Sequence, residues 1–234
     1  MARRPVRRPA RSAATEGSAV PTTERERIVA ALLTLLAEMP FEEIGFADIA
    51  GGADVSMAQL RGEFPSKLAI LAAHMKATDR AVLAQDFSDM AEEPARERLF
   101  DVLMRRLEIL APHRQAVRSL LRSARRNPPL AAALNALAVR SQQWMLSAAG
   151  INASGPRGII RAQGLAVLFA RVLRTWINDD DSGLARTMAA LDRALARGQR
   201  WAGFLDDLCC IPSLLRRPRR RRRRDEDLER PAAA

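Results

Sequence analysis

The sequence predicts an all-α fold: a three-helix N-terminal unit, a larger helical bundle after it, and a disordered basic segment at each end. Three observations lead there. Apolar residues recur at spacings of three and four through most of residues 23–210. No long stretch alternates with a period of two, and no Asn-Gly hairpin signal occurs. Charge is also unevenly placed: residues 1–20 hold five Arg and one Glu, residues 211–234 hold nine Arg and four acids, and 21–210 keeps only +2 of the total +11.

Residues 1–22 are poor in apolar side chains and rich in Arg, Pro, Ala and Ser, which reads as a disordered arm. Pro5 and Pro9 argue against an amphipathic targeting helix. A helix then begins at Thr23, whose T-x-x-E spacing to Glu26 is a capping box, and Ile28, Leu32, Leu35 and Leu36 share one face. Met39-Pro40 ends it, because proline disfavours a helical residue before it.

Residues 46–67 carry the most specific pattern. Ile49-Ala50 closes a short apolar helix, a tight turn follows, and Val55-Ser56 opens a second short helix. Ser56 suits the N-cap, with Gln59 completing an S-x-x-Q box. Leu60 and Phe64 face inward, which leaves Met57, Ala58, Gln59 and Arg61 outward. Ala50 is small enough for the two helices to cross closely.

Beyond residue 67 one helix follows another. Leu99, Leu103, Leu107 and Leu110 form a stripe that Pro112 breaks. Pro128-Pro129 separates a helix over about 113–126 from one over about 130–148. Leu165, Leu168, Phe169, Val172, Leu173 and Trp176 follow the i, i+3, i+4, i+7 pattern, and Leu184, Met188, Leu191 and Leu195 repeat it. The intervening Asp179-Asp180-Asp181-Ser182 is suited to an N-cap. A last stripe, Trp201, Phe204, Leu205 and Leu208, precedes Pro212 and an Arg-rich tail. The domains expected are a basic arm (1–22), a helix-turn-helix unit (23–75), a helical body (76–210) and a tail (211–234).

Several classes of function find no support. Cys209 and Cys210 are adjacent and are the only cysteines, so there is no disulfide framework, and the chain fits a reducing, cytoplasmic compartment. Two histidines, His74 and His113, cannot build a histidine-rich metal site. No apolar run reaches 18 residues, and no nucleophile–base pair can be named, so neither an enzyme nor a cofactor is expected.

The segment from 23 to 75 resembles the N-terminal domain of TetR/AcrR-type regulators. The resemblance rests on Ile49-Ala50, Val55-Ser56, Leu60, Phe64, Ser66-Lys67 and Ile70-Leu71. It implies a TetR-like homodimer that presents paired recognition helices to double-stranded DNA and answers to an apolar small-molecule effector. Ser56, Met57, Ala58, Gln59, Arg61 and Lys67 are the implied DNA-binding residues, with Arg61 and Lys67 on phosphates. Trp144, Met145, Phe169, Leu173 and Trp176 are the candidate effector-binding residues in the body, where core and pocket share one periodicity. Asp54 stands where the family's turn commonly has glycine, Gly45 where a Thr or Ser cap is usual, and Arg61 where tyrosine is common. Residues 46–67 balance to −1, which is weak electrostatics for a polyanion.

A second resemblance competes. Glu97 to Leu103 and Val172 to Arg193 are similar to the C-terminal domain of the ubiquinone-biosynthesis accessory proteins, which share the TetR fold and hold isoprenoid lipid. On that alternative, residues 201–224 would dock on an anionic membrane.

Overall fold

The computed structural model describes residues 23–198, and the stripe at 201–208, both cysteines and both basic ends lie outside them. The described residues contain helices and no strand. In chain order these are α1 (Glu24–Glu38), α2 (Phe46–Ala53), α3 (Met57–Glu63), α4 (Lys67–Leu83), α5 (Ala95–Leu110), α6 (Arg114–Arg126), α7 (Pro128–Ala148) and α8 (Gly155–Trp176). A further helix, α9, occupies 185–198, and short 3-10 turns precede α5 and α6.

The starts and stops follow local chemistry. Thr23 and Glu26 close the capping box at the head of α1, and Met39 leaves the helix in extended backbone. Asn127 caps α7, so the helix begins at Pro128, where proline is tolerated because a first-turn N–H has no intrahelical partner. The aspartate cluster before α9 caps it: Asp181 accepts from the N–H of Ala185, and Asp179 accepts from the N–H and hydroxyl of Thr187 at 2.8 and 2.7 Å. Those hydrogen bonds from Thr187 hold the Asp179 carboxyl below its usual range.

Two apolar cores form. The N-terminal core gathers Ile28, Leu32, Leu36, Ile49, Leu60 and Phe64 with Ile70 of α4, and it also takes Ala116 of α6 and Leu130 of α7. Gly52 permits the close approach of α2 to α1, because a Cβ there would lie 3.3 Å from that of Ala31. The second core lies among α5, α7, α8 and α9 around Leu103, Leu107, Met145, Phe169 and Trp176. The helix α4 runs without a break through residues 75 and 76, so one rigid rod links the two cores. The α1–α6 seam joins them polarly as well: Ser119 donates to the carbonyl of Met39, and the N–H of Phe41 donates to Ser123, each at 3.2 Å.

The second core encloses a polar group that apolar periodicity does not reveal. Arg106 on α5 pairs with Asp79 on α4, both nearly inaccessible, and the Ser141 hydroxyl donates to the same carboxylate at 2.7 Å. Beside it, His74 and His113 meet edge to face at 5.2 Å between centroids.

Candidate nucleic-acid interface

α2 and α3 are short, and their relative angle is fixed by the turn between them. Asp54 ends α2 in left-handed backbone (φ 52°, ψ 55°), and its N–H reaches the carbonyls of Ala50 and Gly51. Aspartate tolerates this conformation better than most residues, which is why the chain manages without glycine there. At the other end, Gly45 supplies no side-chain cap; Asp48 instead reaches back to accept the Gly45 N–H at 2.8 Å. Ser56 and Gln59 form the full reciprocal box at the start of α3 (3.2 and 2.8 Å). Leu60 and Phe64 point inward, 2% exposed each.

The outward face of α3 is therefore Met57, Ala58, Gln59, Arg61 and Gly62, all exposed. Met57 is 52% exposed, high for an apolar side chain on a helix so well anchored. Gln59 is held twice: its oxygen caps Ser56, and its Nε2 donates to Glu24 at 2.7 Å. Arg61 makes no hydrogen bond or ion pair among the described residues and extends from the last turn.

Lys67 departs from its expected role. Its Nζ turns into the fold and donates to the carbonyls of Phe41 at 2.9 Å and Ile44 at 2.6 Å, while lying over the Phe41 ring. Burial lowers its pKa, partly opposed by Glu42. The ammonium satisfies backbone carbonyls of the α1–α2 turn, a structural role that differs from the phosphate contact expected of it. Of the six expected DNA contacts, Ser56, Met57, Ala58, Gln59 and Arg61 share one exposed surface and Lys67 does not.

Sequence reasoning also missed how α1 braces this surface. Arg25 donates to the backbone carbonyl of Glu63 at 3.1 Å and to its carboxylate at 3.2 Å, and its guanidinium lies 4.2 Å from the centre of the Phe64 ring. Arg27 donates to the carbonyl of Ala53. These pairs join residues 38 and 26 positions apart, for which no local signal exists. With Glu24 held to Gln59, they place the start of α1, and so the point where residues 1–22 join, beside α3.

The five candidate effector residues do not line one cavity. Met145, Phe169 and Trp176 are core, at 5% exposure or less, and Leu173 packs beside them. Trp144 was expected inside with Met145, yet it is 60% exposed. Adjacent helical residues diverge by about 100°, and α7 turns Ser141, Gln142, Met145 and Leu146 inward, so Trp144 faces out.

The helical arrangement is a TetR-like fold. Neither family models nor curated proteins match the sequence. Solved structures do. A TetR transcriptional regulator from Nitrosomonas europaea superposes at a TM-score of 0.57 with 21% identity, over 75% of this chain and 97% of that one. A second from Rhodococcus sp. RHA1 gives 0.53 with 21% identity, over 75% and 95%. A protein from Syntrophomonas wolfei described as a TetR-family regulator gives 0.54 with 15% identity, over 76% and 94%. Identities this low establish a shared fold, and what those proteins do is a separate matter.

Proposed function

We propose that this chain is a DNA-binding transcriptional regulator of TetR type that works as a homodimer and responds to a small ligand. The observation that carries the reading is the exposed face of α3. Met57, Ala58 and Arg61 project from a short helix whose position is fixed by the reciprocal Ser56–Gln59 cap and by Arg25, with Arg27 holding the end of α2. A two-helix unit presented this way suits the major groove. Met57 offers an apolar contact to a thymine methyl, and Arg61 a cation for a phosphate or a guanine edge. The start of α1 lies beside α3, and the sequence that precedes it carries five arginines in residues 1–20, charge of the sign that a polyanion attracts.

The alternative, a TetR-like lipid-binding protein without DNA affinity, draws support from the same surface. With Lys67 turned inward, Arg61 is the one cation that α3 and its flanking turns offer outward among the described residues.

Fluorescence anisotropy separates the two readings. The full-length chain is titrated against its own upstream DNA and a scrambled duplex of the same length at two salt concentrations. Selective binding that Met57→Ala weakens supports the regulator. Equal affinity for both duplexes, unaffected by Met57→Ala, removes it and leaves the lipid-binding reading in front.

A further inference from the structure

A cavity in the body is lined by none of the residues the sequence nominated for a ligand. A groove of about 1150 Å³ runs along α8, where it faces α9 and the first turns of α5. Its floor is apolar, formed by Leu99, Leu146, Leu165 and Val172, with Ile160 and Leu168 on the wall. Midway along α8, Gly164 leaves the groove open: no heavy atom lies within 4 Å of where its Cβ would be.

The charge around this apolar floor is one-sided. Arg96, Arg157, Arg161, Arg171, Arg193 and Arg197 line the groove against a single acid, Asp192, which Arg96 already engages. Residues 21–210 as a whole are close to neutral, so the excess is local and not a consequence of arginine-rich composition. Arg161 donates to the carbonyl of Asn152 at 3.3 Å, and Arg193 and Arg197 turn back to the carbonyls of Ala189 and Arg193, whereas Arg157 and Arg171 make no hydrogen bond or ion pair among the described residues. Arg157 and Arg161 stand four apart on α8, so they share one helix face, and both line the groove. Arg171 lies fourteen residues from Arg157, roughly 21 Å along the helix. Between them run the Ile160 side chain, the gap above Gly164, and Leu168.

We infer that this groove binds a single-chain amphipathic carboxylate, its tail over Gly164 and Leu168 and its anionic head at Arg157 and Arg161. The inference rests on the ligand-responsive part of the function proposed above and replaces a purely apolar effector with an anionic one. Burial of the tail drives association, in proportion to the apolar area removed from water. The guanidinium fork matches a carboxylate in bidentate geometry, so the head group sets the preference. A neutral chain gains only the first contribution, and a cationic one meets six arginines.

The test is calorimetric titration of the full-length protein, without DNA, with sodium tetradecanoate below its micellar concentration. Methyl tetradecanoate and tetradecyltrimethylammonium serve as neutral and cationic comparators. Saturable binding of one carboxylate per chain is expected, at least tenfold weaker for the ester and absent for the cation. Arg157→Glu should weaken the carboxylate at least tenfold. Gly164→Trp should abolish binding while leaving the fold intact by circular dichroism, because the space above Gly164 is empty. Absence of saturable carboxylate binding, equal affinity for the ester, or binding indifferent to Gly164→Trp each overturns the inference. So does a Gly164→Trp variant that changes only the sedimenting mass, which assigns the groove to contact between copies. A chain that selects its DNA but ignores the carboxylate overturns this inference alone. Carboxylate binding without DNA selectivity overturns only the regulator.

Discussion

Replacing Lys67 with methionine separates the structural reading of this residue from the phosphate-binding role its sequence position implies. Methionine keeps most of the apolar stem and removes the ammonium. Two hydrogen bonds to the carbonyls of Phe41 and Ile44 are lost, along with the contact to the Phe41 ring. Hydrogen bonds to a charged group contribute about 1.5–3 kcal/mol each, and a cation–π contact about 0.5–1 kcal/mol. The side chain is partly solvated, and screening discounts the net loss below that sum, to about 2–4 kcal/mol. In a chain of this size each kcal/mol moves Tm by roughly 2–4 °C, so Lys67→Met should melt on the order of 4–16 °C lower. Urea unfolding measures the loss directly. The companion measurement is the salt dependence of DNA affinity. Each phosphate contact contributes about 0.9 to the slope of log K against log salt. Lys67→Met should leave that slope unchanged, whereas Arg61→Ala should reduce it by about one contact and alter stability by less than about 0.5 kcal/mol. A Lys67→Met protein of unchanged stability and shallower salt slope would refute the assignment.

The remaining predictions concern the interior. Arg106→Met leaves Asp79 buried with only Ser141 and should cost about 3–5 kcal/mol in urea unfolding, while the double variant Asp79→Leu/Arg106→Met recovers most of the loss; an additive double variant contradicts a coupled pair. Burial, then His113 and Arg106, lower the pKa of His74 from 6.5 to about 4. The unfolded chain therefore takes up a proton that the folded one refuses, so stability is full above pH 6.5 and falls as pH drops toward 4, by up to roughly 3 kcal/mol. His74→Gln should flatten that part of the stability–pH curve, leaving the smaller contribution of His113, whose pKa burial also lowers. Asp54→Gly should stabilise the chain by about 0.5–1 kcal/mol, since glycine adopts the left-handed cap without steric cost; thermal melting that shows a loss instead would assign the Asp54 side chain a role of its own.

By itself, the sequence determined what depends on neighbours a few residues apart. The boxes at Thr23–Glu26 and Ser56–Gln59, the stop at Met39-Pro40 and the Asp181 cap of α9 are contacts within about one helical turn of the chain. Their partners are fixed by backbone geometry, so reading them needs no knowledge of packing. Apolar spacing likewise made the inward face of α3 legible through Leu60 and Phe64. Only the tertiary structure decided the rest, because it depends on how each helix is rotated against the next. Lys67 meets carbonyls 26 and 23 residues away, Arg25 meets Glu63 across 38, and Asp79 meets Arg106 across 27. Lysine before an apolar run reads as a surface cation until the α1–α2 turn folds over it. Trp144 and Met145 are both apolar neighbours on α7, and the packing of α7 against α8 chose which of them to bury. The groove beside Gly164 exists only between helices, so no periodicity along one chain segment could have located it.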